Sequence, residues 1–268
     1  MNNTSSVLYD VTDNIATITL NRPESLNAMT SDLMQNLRAA LNRVDADKSI
    51  RVVVITGSGR GFCAGADLAA QASNTATSEP PDSQQAGEVI DHFTSAMRAI
   101  NDCPLPTVAR VNGAAAGGGF GLALSCDIAV AAKSAFFVAT FGPRLGIVPD
   151  LGTTWNLPRK AGRARALGLS MLGERLSADK AEQWGLIWKA VDDTRLDAEI
   201  AAITSTLANT SADAMTRIRS VTDAALANDF STQLDLEMHH QSVLIPQNMT
   251  EGAKAFIEKR EPRFPPRS

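Results

Sequence analysis

Asn112-Gly113-Ala114-Ala115-Ala116-Gly117-Gly118-Gly119-Phe120-Gly121-Leu122 is the stretch that decides the fold, and it has an upstream counterpart in Gly61-Phe62-Cys63-Ala64-Gly65-Ala66-Asp67-Leu68. Each follows a short apolar run that reads as a buried strand, Thr107-Val108-Ala109-Arg110-Val111 before the triplet and Val52-Val53-Val54-Ile55-Thr56 before the counterpart. Each leads into a stretch that can be helical. Small residues let a ligand approach the backbone closely. Free N–H groups at a helix start favour negative charge. Two such sites facing one another can hold one developing oxyanion with two backbone donors.

Glycine after a strand is also the signature of a dinucleotide fold, and the residues argue against it. Gly57-Ser58-Gly59-Arg60-Gly61 is GxGxG, with Phe62 where the third glycine of GxGxxG belongs. No Gly-Lys-Ser/Thr follows, so a P-loop fails as well.

Outward from these segments, the 268-residue chain is long enough for one domain, or one domain with a short extension. Hydrophobic residues make up 44%, enough for a substantial core. A net charge of −4 without a long basic block argues against nucleic acid. Cys63, Cys103 and Cys126 form neither an even framework nor a CxxC pair, which suits a reduced cytoplasm and no metal. Met1-Asn2-Asn3-Thr4-Ser5-Ser6 does not read as a signal peptide. No apolar run approaches ~18 residues, so no membrane span is expected.

Ile15-Ala16-Thr17-Ile18-Thr19-Leu20 reads as a strand broken by Asn21-Arg22-Pro23-Glu24. Leu33, Leu37, Ala40, Leu41 and Val44 share a helical face, with Thr30 or Ser31 as N-cap. Residues 70 to 86 are polar and read as a mobile loop, residues 87 to 101 as a helix, and Asp127–Ala132 as a buried strand. From about Ser177 onward the spacing is helical, with starts at Ser177 and Ser211 and breaks at Gly185 and Pro246. Strand–helix alternation followed by helices predicts an α/β fold with a helical end region.

These segments, with Ile18–Ala28, Cys126-Asp127-Ile128-Ala129 and Phe256-Ile257-Glu258-Lys259-Arg260, resemble the crotonase (enoyl-CoA hydratase/isomerase) superfamily over nearly the whole chain. The resemblance implies a spiral of ββα units over residues 1–195. It also implies a helical trimerisation region over 196–268, a homotrimer or a hexamer built as a dimer of trimers, and a cytoplasmic enzyme. It implies an acyl-CoA thioester as ligand, with coenzyme A as part of the substrate and no other cofactor. The thioester oxygen would accept from the N–H groups of Ala66 and Gly118. Contacts to coenzyme A or acyl chain would come from Arg22, Ser25, Leu26, Ala64, Asp67, Leu68 and Gly117. Phe256 and Lys259 would contribute from the C-terminal helix, often to a neighbouring subunit. Lys259 on a solvated face and Phe256 in ordinary packing are the bland readings of those two.

Hydratases of this family use two glutamates. Their positions fall here on Gly121 and Gly142, and glycine cannot titrate. A carboxylate does occur at Asp150, in Leu145-Gly146-Ile147-Val148-Pro149-Asp150, a form that resembles acyl-CoA double-bond isomerases and most nearly the 1,2-epoxyphenylacetyl-CoA isomerase group. Asp150 would then act as the acid/base, its pKa raised by Val148, Leu151 and Trp155. Its plainer reading is an N-cap for the segment after it. Three alternatives stay open: Asp150 as a nucleophile, an enoyl-CoA hydratase of fatty-acid or aromatic degradation, and a catalytically silent acyl-CoA-binding protein.

Overall fold

The computed structural model describes residues 5–69 and 83–265. Two sheets wind through the molecule. In the first, β1 (Val7–Thr12) and β2 (Ile15–Leu20) form an antiparallel hairpin. The strands β3 (Val52–Gly57), β5 (Thr107–Val111), β7 (Ile128–Ala132) and β10 (Lys189–Val191) then add in parallel, in the order β1-β2-β3-β5-β7-β10. The second sheet has the order β4 (Gly61–Cys63), β6 (Ala114–Ala116), β8 (Phe136–Val138) and β9 (Leu176–Ser177), the last antiparallel. Long strands of the first sheet thus pass directly into short strands of the second, β3 into β4, β5 into β6, β7 into β8. That repetition is the ββα spiral.

Burial explains the strand pattern. Every residue of β3 is buried, as expected for a central parallel strand covered on both faces. In β2 only Ala16, Ile18 and Leu20 are buried, in strict alternation. The helix α1 (Ser31–Ala46) places Leu33, Leu37, Ala40, Leu41 and Val44 in the core, each large side chain contributing roughly 1.5–3 kcal/mol on burial. Thr30 is its cap: Thr30 Oγ1 accepts from Leu33 N at 3.2 Å, an arrangement worth about 1 kcal/mol. The helix α2 (Ser83–Asn101) packs against α1 and buries Phe93, Ala96, Met97 and Ile100. It begins at Ser83, so the expected loop ends sooner than residue 86; residues 70–82 of that loop lie outside the described residues.

The later helices are α3 (Gly118–Ser125), α4 (Thr153–Ala161), α5 (Arg163–Leu172), α6 (Ala178–Gln183), α7 (Leu196–Ala208), α8 (Ala212–Ala224) and α9 (Phe230–Glu258). Ser177 and Ser211 cap α6 and α8 by accepting from Lys180 N and Ala214 N. Two expectations fail in this third of the chain. First, it is not purely helical: β9 and β10 lie within it, and both are too short to display a period of two. Second, Pro246 does not end a helix but sits inside the 29-residue α9. Proline removes one hydrogen bond there, to Ser242, whose exposed position leaves its carbonyl open to solvent.

The arm α8–α9 joins the body at the N-terminal rim of the parallel strands. Arg219 donates to Cys103 O and to Leu105 O, and pairs with Asp127; Thr216 Oγ1 donates to Pro104 O at 2.6 Å. Asp127 in turn accepts from Thr107 N and Thr107 Oγ1 at 2.7 and 2.9 Å. The glycine segments leave from the opposite ends of the second-sheet strands.

Candidate active site

Strand pairing brings the two glycine segments together. β4 and β6 are parallel neighbours, Gly61 opposite Ala114 and Cys63 opposite Ala115, so their continuations run side by side. The contact leaves no room for side chains. A β-carbon on Gly65, which has φ +86°, would lie 2.7 Å from Ala116 O and 3.1 Å from Gly118 N. One on Gly119 would lie 2.1 Å from Cys63 O. These glycines exist because backbone meets backbone.

The same contact leaves two amides unused. Met29 and Ala66 form a parallel bridge, in which Met29 N donates to Gly65 O at 2.7 Å and Asp67 N donates to Met29 O at 3.0 Å. That pattern turns the Ala66 N–H to the other side. Gly118 supplies the first amide of α3, a position with no intrahelical acceptor. Neither N–H has an acceptor among the described residues.

Two asparagines hold the loop that carries these turns. Asn27, wholly buried, donates through Nδ2 to Ser58 O and Gly61 O at 2.9 Å each, and accepts from Arg22 N at 2.8 Å. Asn112 donates to Gly59 O at 2.9 Å and accepts from Gly57 N at 3.3 Å.

The expected coenzyme contacts cluster nearby. Ala64 N donates to Leu26 O at 3.0 Å, Ser25 Oγ donates to Arg22 O at 3.2 Å, and Leu68 is exposed. Gly117 sits at the entry of α3 with φ +51°, close to Thr140 Oγ1. Arg22 and Asp67, both among the expected contacts, pair with each other: Arg22 Nη2 lies 2.8 Å from the Asp67 carboxylate, and Nη1 donates to Ala28 O at 2.6 Å. Largely buried, this pair straps one loop to the other and holds the Arg22 guanidinium beside the first glycine segment.

Phe256 and Lys259 are not brought to this site within one chain. Both are exposed on α9 or at its end. α9 packs against α8, which docks on the opposite rim, and the following tail reaches Arg51, just ahead of β3, through Pro265 O.

Asp150 stands on a tight turn. Leu151 has φ +48° and Gly152 φ +79°; the left-handed conformation costs a leucine about 1–2 kcal/mol. The turn sets the Leu151 side chain onto the second glycine segment, its Cδ1 2.6 Å from where a Gly118 β-carbon would be, beside Met29 Sδ at 3.1 Å. The Asp150 residue remains open to solvent on one side. The surrounding protein nevertheless desolvates its carboxylate and lifts its pKa above the ordinary carboxylate value, an effect its own amide tempers.

One expectation about this turn is corrected. Asp150 does not cap α4: Gly152 is the N-cap, and Asp150 contributes only its backbone carbonyl, accepting from Thr153 N at 2.9 Å. Val148 is 78% exposed rather than packed, and Trp155 stacks with Arg159.

Of the two glycines at the glutamate positions, Gly121 is tightly enclosed and Gly142 is only partly covered. A β-carbon on Gly121 would lie 2.4 Å from Leu151 O and 2.8 Å from Thr153 Oγ1; one on Gly142 would lie 3.0 Å from Ser170 O. Among the described residues no group of His, Cys, Asp and Glu is placed to hold a metal ion, and no helix is long and apolar enough to cross a membrane. Sequence reading missed the packing of Leu151 on Gly118, and the roles of Asn27 and Asn112. Asparagine beside a glycine turn is a usable signal for the last two; nothing local marks the first.

The chain matches the enoyl-CoA hydratase/isomerase family over residues 10–267. It is 41% identical over 260 residues to a 1,2-epoxyphenylacetyl-CoA isomerase of Escherichia coli strain K12, covering 96% of this chain and 97% of the relative. It is 39% identical over 263 residues to a Rhodobacter capsulatus protein named a probable enoyl-CoA hydratase, covering 97% of each. A solved enoyl-CoA hydratase from Polaromonas sp. JS666 superposes with a TM-score of 0.89 at 33% identity, covering 97% of this chain and 99% of that one. Interlocked glycine turns, two unused amides and a match from end to end agree: the chain belongs to the enoyl-CoA hydratase/isomerase family.

Proposed function

We propose that this enzyme is an acyl-CoA double-bond isomerase that holds a thioester enolate with the N–H groups of Ala66 and Gly118 and moves a proton with Asp150. The observation that carries the reading is the pairing of Gly121 with Leu151. Where a hydratase carries its first glutamate, the space is filled by Leu151 O, and the same turn presents Asp150. The relative named as a 1,2-epoxyphenylacetyl-CoA isomerase makes a ring acyl-CoA derived from phenylacetate the first substrate to try.

The chemistry is a 1,3-proton transfer. Asp150, ionised, takes a proton from an allylic carbon. The C–H electron pair spreads into the thioester, and negative charge collects on its oxygen, where the two amides donate. One such donor is worth about 10²–10³ in rate. Protonated Asp150 then returns the proton to another carbon, and the double bond has moved. A raised pKa suits both halves, because the acid form must be accessible as well as the base. Among the described residues no side chain bonds the carboxylate, which leaves its oxygens available to two carbons in turn.

Arg22, Ser25, Leu26, Ala64, Asp67, Leu68 and Gly117 form the rim for the coenzyme end, with the Arg22–Asp67 pair tying its two loops together. Phe256 and Lys259 are assigned to the ligand of a neighbouring copy. α9 carries Phe230, Leu234, Met238, Ile245, Met249 and Phe256 on one face, all exposed, the spacing of a helix that packs against a partner. A trimer, or two stacked trimers, covers it. No metal and no cofactor beyond the coenzyme A of the substrate enters this scheme.

The test is a panel of enoyl-CoA and phenylacetate-derived thioesters incubated in D₂O and read by mass spectrometry. An isomerase incorporates deuterium, a hydratase adds water, and a silent binder changes nothing. Addition of water without exchange would sink the isomerase reading.

A further inference from the structure

One hydrogen-bonded chain links the two halves of the site. Asn156, on the first turn of α4 and buried, donates through Nδ2 to Gly152 O at 3.1 Å and to Ser125 Oγ at 3.3 Å. Ser125, at the end of α3, passes its own proton to Gly121 O at 2.9 Å. The chain therefore runs from the Asp150 turn to the helix whose first amide is Gly118.

The fit around it is close. A β-carbon on Gly152 would stand 3.2 Å from Ser125 Oγ and 3.3 Å from Asn156 Nδ2. Gly152 O also accepts from the amides of Trp155 and Asn156, at 3.2 and 2.9 Å. Leu151, next to it, is held left-handed, a conformation that persists only where the surroundings over-determine it. Asp150 itself has no side-chain partner among the described residues to orient it. Its placement comes from the turn, and the turn is tied to α3 by Asn156 and Ser125.

We propose that Asn156, acting through Ser125, is a positioning residue that fixes the separation between the Asp150 carboxylate and the Gly118 amide. The proposal rests on the reading of Asp150 as the proton carrier. Removing a proton while its electrons flow toward a fixed donor needs both groups in register, and a misplacement of about 1 Å can cost about 10² in rate. A brace far from the coenzyme end should affect the chemical step and leave ligand affinity alone.

The test compares Asn156→Leu, Ser125→Ala, the double variant and Ser125→Thr with wild type and Asp150→Asn. Readouts are kcat, KM, the pH dependence of kcat, and hydrogen exchange at the Leu151, Gly152 and Thr153 amides. Asn156→Leu should lower kcat about ten-fold with KM within about two-fold. Its acid limb should move to lower pH as the loosened carboxylate gains water, and exchange in the turn should quicken. The double variant should be no worse than Asn156→Leu, since one chain is broken once. Ser125→Thr keeps the hydroxyl and should behave as wild type. If Asn156→Leu does not fold, Ser125→Ala carries the same readouts with a smaller change. Folded variants with unmoved kcat and pH limb, beside an inactive Asp150→Asn, overturn the brace even if their melting temperature falls. Retained turnover in Asp150→Asn overturns the reading beneath the proposal, and the proposal with it.

Discussion

The carbonyl oxygen of Leu151 lies 2.4 Å from the point where a β-carbon on Gly121 would stand. Neither side of this contact gives easily, because both are backbone. Gly121→Ala should therefore cost about 1–3 kcal/mol by overpacking, seen as a lower thermal midpoint. Gly121→Glu should be worse folded still and should gain no hydration of crotonyl-CoA. A stable Gly121→Glu that hydrates would show that this turn yields and that the hydratase arrangement is one substitution away.

Asp150→Asn keeps the shape and removes the base. Turnover and deuterium exchange should fall by about 10² or more, with acyl-CoA affinity within a few-fold. Stability should not fall at pH 7. Desolvation raises the folded pKa above the unfolded one, so the folded state holds its proton longer and loses stability as pH rises between those two values. Asparagine removes that loss. The thermal midpoint across pH 4 to 7 reports it: a midpoint clearly below wild type at pH 7 would mean the carboxylate makes a stabilising contact.

The pH profile of turnover follows from the same shift. The base must be ionised to act, so activity should rise with pH through the raised Asp150 value, and the acid limb should lie above the ordinary carboxylate range. An acid limb at the value of a free aspartate, measured with saturating substrate, would contradict the desolvated environment.

Thr153 Oγ1 is buried without a partner among the described residues, pressed toward Gly121. Thr153→Val keeps the shape and deletes the orphan, so stability should hold or rise by up to about 1 kcal/mol. A fall of that size in chemical denaturation would reveal an ordered water bonded to the hydroxyl.

All three cysteines are buried, and burial pushes the Cys63 thiol up to about 12 and raises that of Cys126. An aromatic disulfide reagent at pH 8 should titrate no thiol in the folded enzyme and all three once it unfolds. Rapid reaction of one thiol in the native state would mark a local opening at that strand.

Much of the fold is legible because its signals are local. Val52–Ile55 is apolar throughout, as a central parallel strand covered on both faces favours, and Leu33, Leu37, Leu41 and Val44 repeat at helical spacing. The three-residue strands of the second sheet are not legible, since their pairing partners lie far off in sequence and β4, Gly61–Cys63, reads as part of a glycine loop. Pro246 misleads for a related reason. A single lost hydrogen bond does not stop a helix of 29 residues, although proline is the strongest local breaker. In the site, the glycines are visible as glycines, but what each avoids is not: Gly119 avoids Cys63 O and Gly121 avoids Leu151 O. The Arg22–Asp67 strap is not legible because the two residues lie 45 positions apart, and only three dimensions reveal that they pair.

The docking of α8 through Arg219 and Thr216 has a consequence for how such a chain changes over generations. Its anchors, Cys103 O, Pro104 O, Leu105 O and Asp127, stand at the starts of the parallel strands, and the glycine turns stand where the chain has run on into the second sheet. A rigid sheet separates the two rims. Substitution at the arm's anchors does not touch Asp150 or the two amides of the same chain, and substitution around Asp150 does not touch those anchors. Lineages built on this plan are therefore free to revise the two rims at different rates.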